Sequence, residues 1–167
     1  DWRAINEKSE DFLRRSKNLE VAIYFTLAQL CLNGLTGFRD GLKLINEMST
    51  GFWDTLYPKL DEDYPEGDAD RYMERSNLYR NLTAPYMSDG DPCKFVERLR
   101  KTPLCRSSRL GLFSLRDYKQ ALSGGHAPAD GEDEQGGGIT VDVIRAAFED
   151  AGEEAASATK ALLEEAS

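Results

Sequence analysis

Histidine is nearly absent from this chain of 167 residues: the sole one is His126, in a glycine-rich stretch. Without a second imidazole near a serine or cysteine, base-activated nucleophilic catalysis has no activating group. Cysteine is scarce too. Cys31, Cys93 and Cys105 are odd in number and lack paired spacing, so neither a disulfide framework nor a zinc site is expected. A reducing compartment, the cytoplasm, fits that usage. Positive charge is in deficit, 21 Lys+Arg against 30 Asp+Glu, for a net charge of -9. A surface that grips phosphates normally carries the opposite sign, which argues against nucleic acid as a partner. The cluster Arg98, Arg100, Lys101, Arg106 and Arg109 reads as interspersed solvated charge. No phosphate-cradling glycine loop is present, and no uninterrupted apolar run approaches the length of a membrane span, so no membrane insertion is expected. The first residue is Asp1 and an amphipathic pattern starts at once with Trp2, which reads as a piece of a longer protein.

What is present is helical periodicity. From Gly34 to Tyr64, the residues Phe38, Leu42, Ile45, Ser49, Phe52, Trp53 and Leu56 recur at three- and four-residue steps. That spacing predicts one face of a helix roughly twenty residues long, started after Gly34 and Gly37 and stopped at Pro58. Trp53 is expected as an aromatic core plug. Upstream, Trp2, Ile5, Ser9, Phe12 and Leu13 predict a first helix. Ser16 or Asn18 is placed to cap a second, Leu19 to Leu32, apolar on almost every side and therefore central. The short turn at Asn33-Gly34 predicts antiparallel packing of that helix against the long one.

These segments, taken together, resemble the N-terminal domain of the ImpA/TssA family of bacterial type VI secretion proteins. The resemblance rests on Trp2 and on Ser16-Lys17-Asn18-Leu19-Glu20-Val21-Ala22. It continues through the turn and helix start from Gly34 to Leu42, with Gly37 and Gly41, and through Trp53-Asp54-Thr55-Leu56-Tyr57-Pro58 before Asp61-Glu62-Asp63. Arg71, Asn77, Leu78 and Leu82 fit the helix that follows, as does Leu110 to Tyr118, containing Ser114-Leu115-Arg116-Asp117. Glu20 departs from the pattern, where the family often has arginine. The resemblance implies a non-catalytic structural and interaction domain. It would help attach to the baseplate and membrane complex and guide assembly of the tail tube and sheath. Rings would form through a C-terminal domain outside this chain. A TagA-like accessory protein that stops or stabilises the sheath, or a generic helical adaptor, is the alternative.

The remaining segments carry little chemistry of their own. Asp61 to Asp70 is rich in carboxylates but lacks the glycine position and closing glutamate of a calcium loop, and Pro65 interrupts it, so no metal is assigned. Pro92 is suited to open a helix with Phe95, Val96 and Leu99 inward, ended at Thr102-Pro103-Leu104. Ser114 followed by Asp117 predicts a capping box rather than a nucleophile, with Leu115, Tyr118 and Leu122 facing inward. No catalytic residue and no cofactor is assigned. Thr140 is placed to cap a helix bearing Val141, Ile144, Ala147 and Phe148, broken at Gly152 and followed by a helix from Glu153 to Ala166. The expected fold is all-α: a helical domain over 1–122, a flexible acidic linker over 123–138, and helices over 139–167 docking back on the same domain.

Overall fold

Carboxylate and amide side chains start the first two helices. The computed structural model describes residues 1–83, 93–123 and 139–152. Helix α1 is Trp2–Leu13, and Asp1 caps it by accepting from the amides of Arg3 and Ala4 at 3.0 and 3.4 Å. Helix α2 is Leu19–Gly51, and the Asn18 side chain accepts from the Val21 amide at 3.0 Å. Gly34 breaks α2 with φ 63° and ψ −143°, a conformation open to glycine and strained for other residues. The pieces on either side fold back on each other, as the short turn requires.

The depth of that return is set by two glycines. A Cβ on Gly37 would lie 2.3 Å from the Gln29 carbonyl oxygen, and one on Gly41 would lie 2.6 Å from the Thr26 side chain. Contacts 26 to 41 and 29 to 37 run in opposite chain directions, so the two halves of α2 are antiparallel and backbone-close. The buried ridge of the second half is therefore Gly37, Gly41, Ile45 and Met48, and of the α2 residues that the spacing singled out only Ile45 lies on it. Phe38 and Leu42 are only half-buried, and Phe52 is exposed. In the first half, Leu19, Ala22, Ile23, Thr26, Leu27, Ala28 and Leu30 are all buried, and the Thr26 hydroxyl is satisfied by donating to the Ala22 carbonyl at 2.8 Å. An 18-residue window of α2 has mean hydropathy 1.4 and the length and composition of a membrane span. The break at Gly34 leaves two pieces, each shorter than the ~20 residues needed to cross a bilayer.

Chain contacts divide the protein into two units, Asp1–Leu99 and Arg100–Ser167. The core of the first unit is Leu19, Ala22, Ile23, Leu27, Leu30, Ile45, Met48, Leu56, Cys93 and Phe95. Trp2 and Leu13 of α1 pack against it, as do Leu78, Tyr79 and Leu82 of α3, Met73–Thr83. Phe12 does not face inward: it is exposed, while Ser9 is buried. A single 3-10 turn, Asp70–Tyr72, leads into α3, and α4 is Phe95–Lys101. Pro92, expected to open α4, lies outside the described residues.

The second unit corrects the all-α expectation. The protein is mostly helical, but Pro103–Ser107 (β1) and Gly111–Ser114 (β2) pair as an antiparallel hairpin. Cys105 and Phe113 stand opposite each other in the register and are both buried. A burial rhythm of two is the signature of a half-covered strand, and the short span hid it among helical neighbours. A two-stranded ribbon is marginal without cover. Ile144 and Ala147, on the helix over 141–152 (α6), supply that cover, with Ala121 and Phe148 at its margin. Thr140 accepts from the Val143 amide at 3.4 Å at the start of α6, and Gly152, the last residue described, takes φ +85°. Ser114 and Asp117 form a reciprocal capping box at the start of α5, Leu115–Leu122. On α5, Tyr118 and Leu122 are exposed, contrary to the inward face expected for them. Of the linker expected over 123–138, only Ser123 is described, as the C-cap of α5; the rest, with His126, and the helix expected over 153–166 lie outside the described residues.

Asp150 ties the hairpin turn to α6. Its carboxylate accepts from the Ser107 hydroxyl at 2.5 Å and from Arg109 Nε at 2.6 Å, while Ser107 Oγ accepts the amides of Arg109 and Leu110. These bonds, the Ser107 hydroxyl foremost and then Arg109, hold the Asp150 carboxyl below the usual carboxylate range.

The glycine contacts predict opposite outcomes for two similar substitutions. Gly37→Ala gains helix propensity of about 1 kcal/mol but must push backbone apart, so a net loss of about 1–3 kcal/mol is expected in denaturant melts. Gly51→Ala, with open space around its Cβ, is expected to be neutral or stabilising. A pH prediction follows for Asp150. Because its folded pKa lies below the unfolded one, its stabilisation is complete above the unfolded value and is lost as pH falls through the folded value. Melts taken down through that acid range should fall less steeply for Asp150→Asn than for the parent chain. Superimposable profiles would show the link contributes nothing.

Candidate functional site

Helix α2 ends at Gly51, and the chain passes through the 3-10 turn Trp53–Thr55 into an extended Leu56 and a cis Tyr57–Pro58 bond. Leu56 is wholly buried, and it fills the place in the core that the sequence suggested for Trp53. The segment then pairs with the stretch before α2. The Tyr57 amide donates to the Lys17 carbonyl at 2.7 Å, and the Leu19 amide donates to the Tyr57 carbonyl at 2.8 Å. Two stretches far apart in sequence, Ser16–Leu19 and Trp53–Pro58, thus become one surface.

A buried arginine holds this junction. Arg75 on α3 is 1% exposed. Its Nε donates to the Pro58 carbonyl at 2.8 Å, Nη1 to Trp53 at 2.8 Å, and Nη2 to Leu56 at 2.6 Å. Three nitrogens of one planar fork meet three carbonyls of one loop, a match lysine cannot make. The guanidinium also lies 4.5 Å from the centroid of the Trp53 ring, which stacks on Tyr72 at 6.2 Å. Trp53 is a half-buried cover over this cation. Burial pushes the guanidinium below the usual arginine value, with Tyr79 and Asp54 acting in the opposite direction. Among the described residues no carboxylate makes an ion pair with it. Sequence reasoning missed this role, because nothing in the spacing of Arg71 and Arg75 shows which one turns inward.

The outer side of the junction is aromatic and cationic. Phe52 and Tyr57 are 46% and 48% exposed. Lys17 Nζ lies 5.0 Å over the Phe52 ring, and Lys59 Nζ lies 4.9 Å over the Tyr57 ring. Next to it, the acidic loop 61–70 is almost wholly exposed and organised by its own backbone. Asp61 and Asp68 accept from the amides of Asp63 and Asp70, and Arg71 donates to the Tyr64 carbonyl at 2.8 Å. Among the described residues no group of three histidine, cysteine or acidic side chains is arranged to hold a metal.

The other residues singled out by sequence have plain structural places. Trp2 is half-buried with the Arg98 guanidinium 4.7 Å over its ring. Asn77 and Asp54 are exposed, Leu78 packs on the core, and Leu42 is half-buried on α2. In the second unit, Ser114 is engaged by Asp117, Leu115 is half-buried and Arg116 is exposed. An open depression there is lined by Arg109, Leu110, Ala146, Glu149 and Asp150, with Asp150 already bonded. Cys31, Cys93 and Cys105 are not joined in disulfides, and burial raises the pKa of Cys31 and Cys105.

Arg75→Ala strips three carbonyls of their donors, each such bond to a charged group contributing about 1.5–3 kcal/mol. The expected loss in a denaturant melt is at least about 3 kcal/mol. Arg75→Lys, keeping the charge without the fork, should recover less than half of that. Full recovery by lysine would mean that charge, not geometry, holds the loop.

The family described as ImpA, N-terminal, of the type VI secretion system matches residues 1–84. The chain is also 28% identical over 164 residues to a protein described as type VI secretion system component TssA1 from Pseudomonas aeruginosa. That alignment covers 98% of this chain and 42% of the relative, so the chain spans less than half of its length. No solved structure matches the chain.

Proposed function

The chain belongs to the ImpA N-terminal family of the type VI secretion system, and on that premise we propose that it is a non-catalytic interaction domain of a TssA-like protein. In this reading it helps attach the protein to the baseplate and membrane complex, on the cytoplasmic side, and guides assembly of tail tube and sheath. The observation that carries it is the junction itself. The family-like segments Ser16–Leu19 and Trp53–Pro58 are joined by the backbone bonds of Tyr57 to Lys17 and Leu19, Arg75 holds the second segment from within, and the result is a supported surface with exposed Phe52 and Tyr57. Exposed aromatics on a fixed backbone are the composition of a protein-binding surface. The serine most suggestive of chemistry, Ser114, is committed to a helix cap, which favours a binding role over a catalytic one.

Net charge of -9 and the lack of a sustained heptad seam support a chain that does not build rings by itself. We therefore expect a monomer or weak dimer in light scattering, with higher assembly depending on parts of the protein beyond this chain. Pull-down against separately purified baseplate, sheath and membrane-complex subunits of the same secretion system tests the reading. Capture of at least one is expected. Failure to bind any of them, or a stable ring formed by this chain alone, would remove the proposal.

A further inference from the structure

We propose that Phe52, Lys17, Tyr57 and Lys59 form a docking strip for an acidic peptide segment of a partner subunit, an inference that rests on the interaction-domain reading above. The four side chains are linked in sequence across the surface. Lys17 lies over Phe52, the Lys17 carbonyl takes the Tyr57 amide, and Lys59 lies over Tyr57. Two lysine-over-ring pairs are therefore carried by backbone segments bonded to each other, with both rings about half open to solvent.

Charge identifies the occupant. Arg14, Arg15, Arg39, Arg109 and Arg145 each pair with a carboxylate; among the described residues Lys8, Lys43 and Lys119 make no ion pair, but none of these three lies over a ring. Among the described residues, Lys17 and Lys59 make no such ion pair. Lys59 reaches only the Asp54 carbonyl, at 3.5 Å. A purely apolar ligand would cover the rings and strip two ammonium groups of water with nothing in return. Carboxylates on the ligand supply the missing partners, while an apolar side chain between them covers the rings. A long polyanion would instead meet the repulsion of a chain carrying net charge -9, most strongly from the neighbouring acidic loop 61–70. A short acidic peptide can pair with two lysines and stop there. The strip is also prepared for binding. Arg75 fixes the Trp53, Leu56 and Pro58 carbonyls, and the Lys17–Tyr57–Leu19 bonds fix the backbone between, so little ordering of the loop remains to oppose association.

The test uses the full chain and a short fluorescein-labelled peptide of alternating glutamate and phenylalanine, with its glutamine counterpart as control, read by fluorescence anisotropy. The glutamate peptide should bind, more weakly as salt is raised, and the glutamine peptide should not. Lys17→Glu and Lys59→Glu should each weaken binding about tenfold or more, and Phe52→Ala should weaken it without changing the salt dependence. Melting curves confirm that each variant is folded, and should Lys17→Glu fail to fold, Lys59→Glu alone decides. Absence of binding, or binding indifferent to both charge reversals, overturns the proposal. Equal lysine-dependent binding to phosphatidylserine vesicles also overturns it, since the strip would then read anionic surfaces rather than a peptide. The same variants separate this inference from the broader reading. If secretion subunits are captured equally well by Lys17→Glu and Lys59→Glu, the docking strip is wrong and the interaction-domain reading stands. If none is captured by the parent chain, the broader reading fails first.

Discussion

Three carbonyl oxygens pointing into the protein at Trp53, Leu56 and Pro58 are the constraint on which the first unit turns. The chain must drop from α2, bury Leu56 and run back beside Lys17–Leu19. An irregular segment that does this cannot satisfy its own backbone, and inward carbonyls without donors are costly. One guanidinium answers all three, at the expense of removing a cation from water. Its position over the Trp53 ring returns part of that expense, since the aromatic face attracts the charge that burial disfavours. Half-burial of Trp53 follows: the ring covers the arginine instead of filling the core.

The same junction explains why the aromatic residues divide as they do. Trp53 and Tyr72 stack over the guanidinium, whereas Phe52 and Tyr57 are turned outward by the 3-10 turn and the extended Leu56 between them. Lysines from either side of the junction then cover the outward rings. Packing against the core and exposure of two aromatic rings to solvent are therefore two faces of one loop, held by one side chain. A surface built on such a support has its backbone fixed from within by Arg75 and from the side by the Lys17 and Leu19 bonds.

In the second unit the organising device is smaller. A two-stranded hairpin gains its stability from Ile144 and Ala147 on one face and from Asp150 at its turn. Apolar cover and a charged latch come from the same short helix. Ser107 joins the two: its hydroxyl both closes the turn and presents that turn to Asp150.

Periodicity and capping chemistry determined a good deal by themselves. Asn18 starts α2, Gly34 breaks it, Ser114 and Asp117 box the start of α5, and the enclosed run expected over Leu19 to Leu32 was legible from composition as far as Leu30, with Leu32 exposed, because each of these depends on neighbours within a few residues. The pairing of the motif around Lys17 with the one around Trp53 also had a trace in sequence, as family-like segments, though not as a contact. What only the tertiary structure decided depends on distant partners. Gly37 and Gly41 form the buried ridge because the opposite half of α2 approaches within backbone distance, which leaves Phe38 and Leu42 at the margin. Cys105 and Phe113 form a hairpin because α6 covers them. Arg75, not Arg71, is buried because three carbonyls from a loop some twenty residues earlier converge on its position. A sequence records which side chains can donate; only the folded chain decides where the unsatisfied acceptors will be.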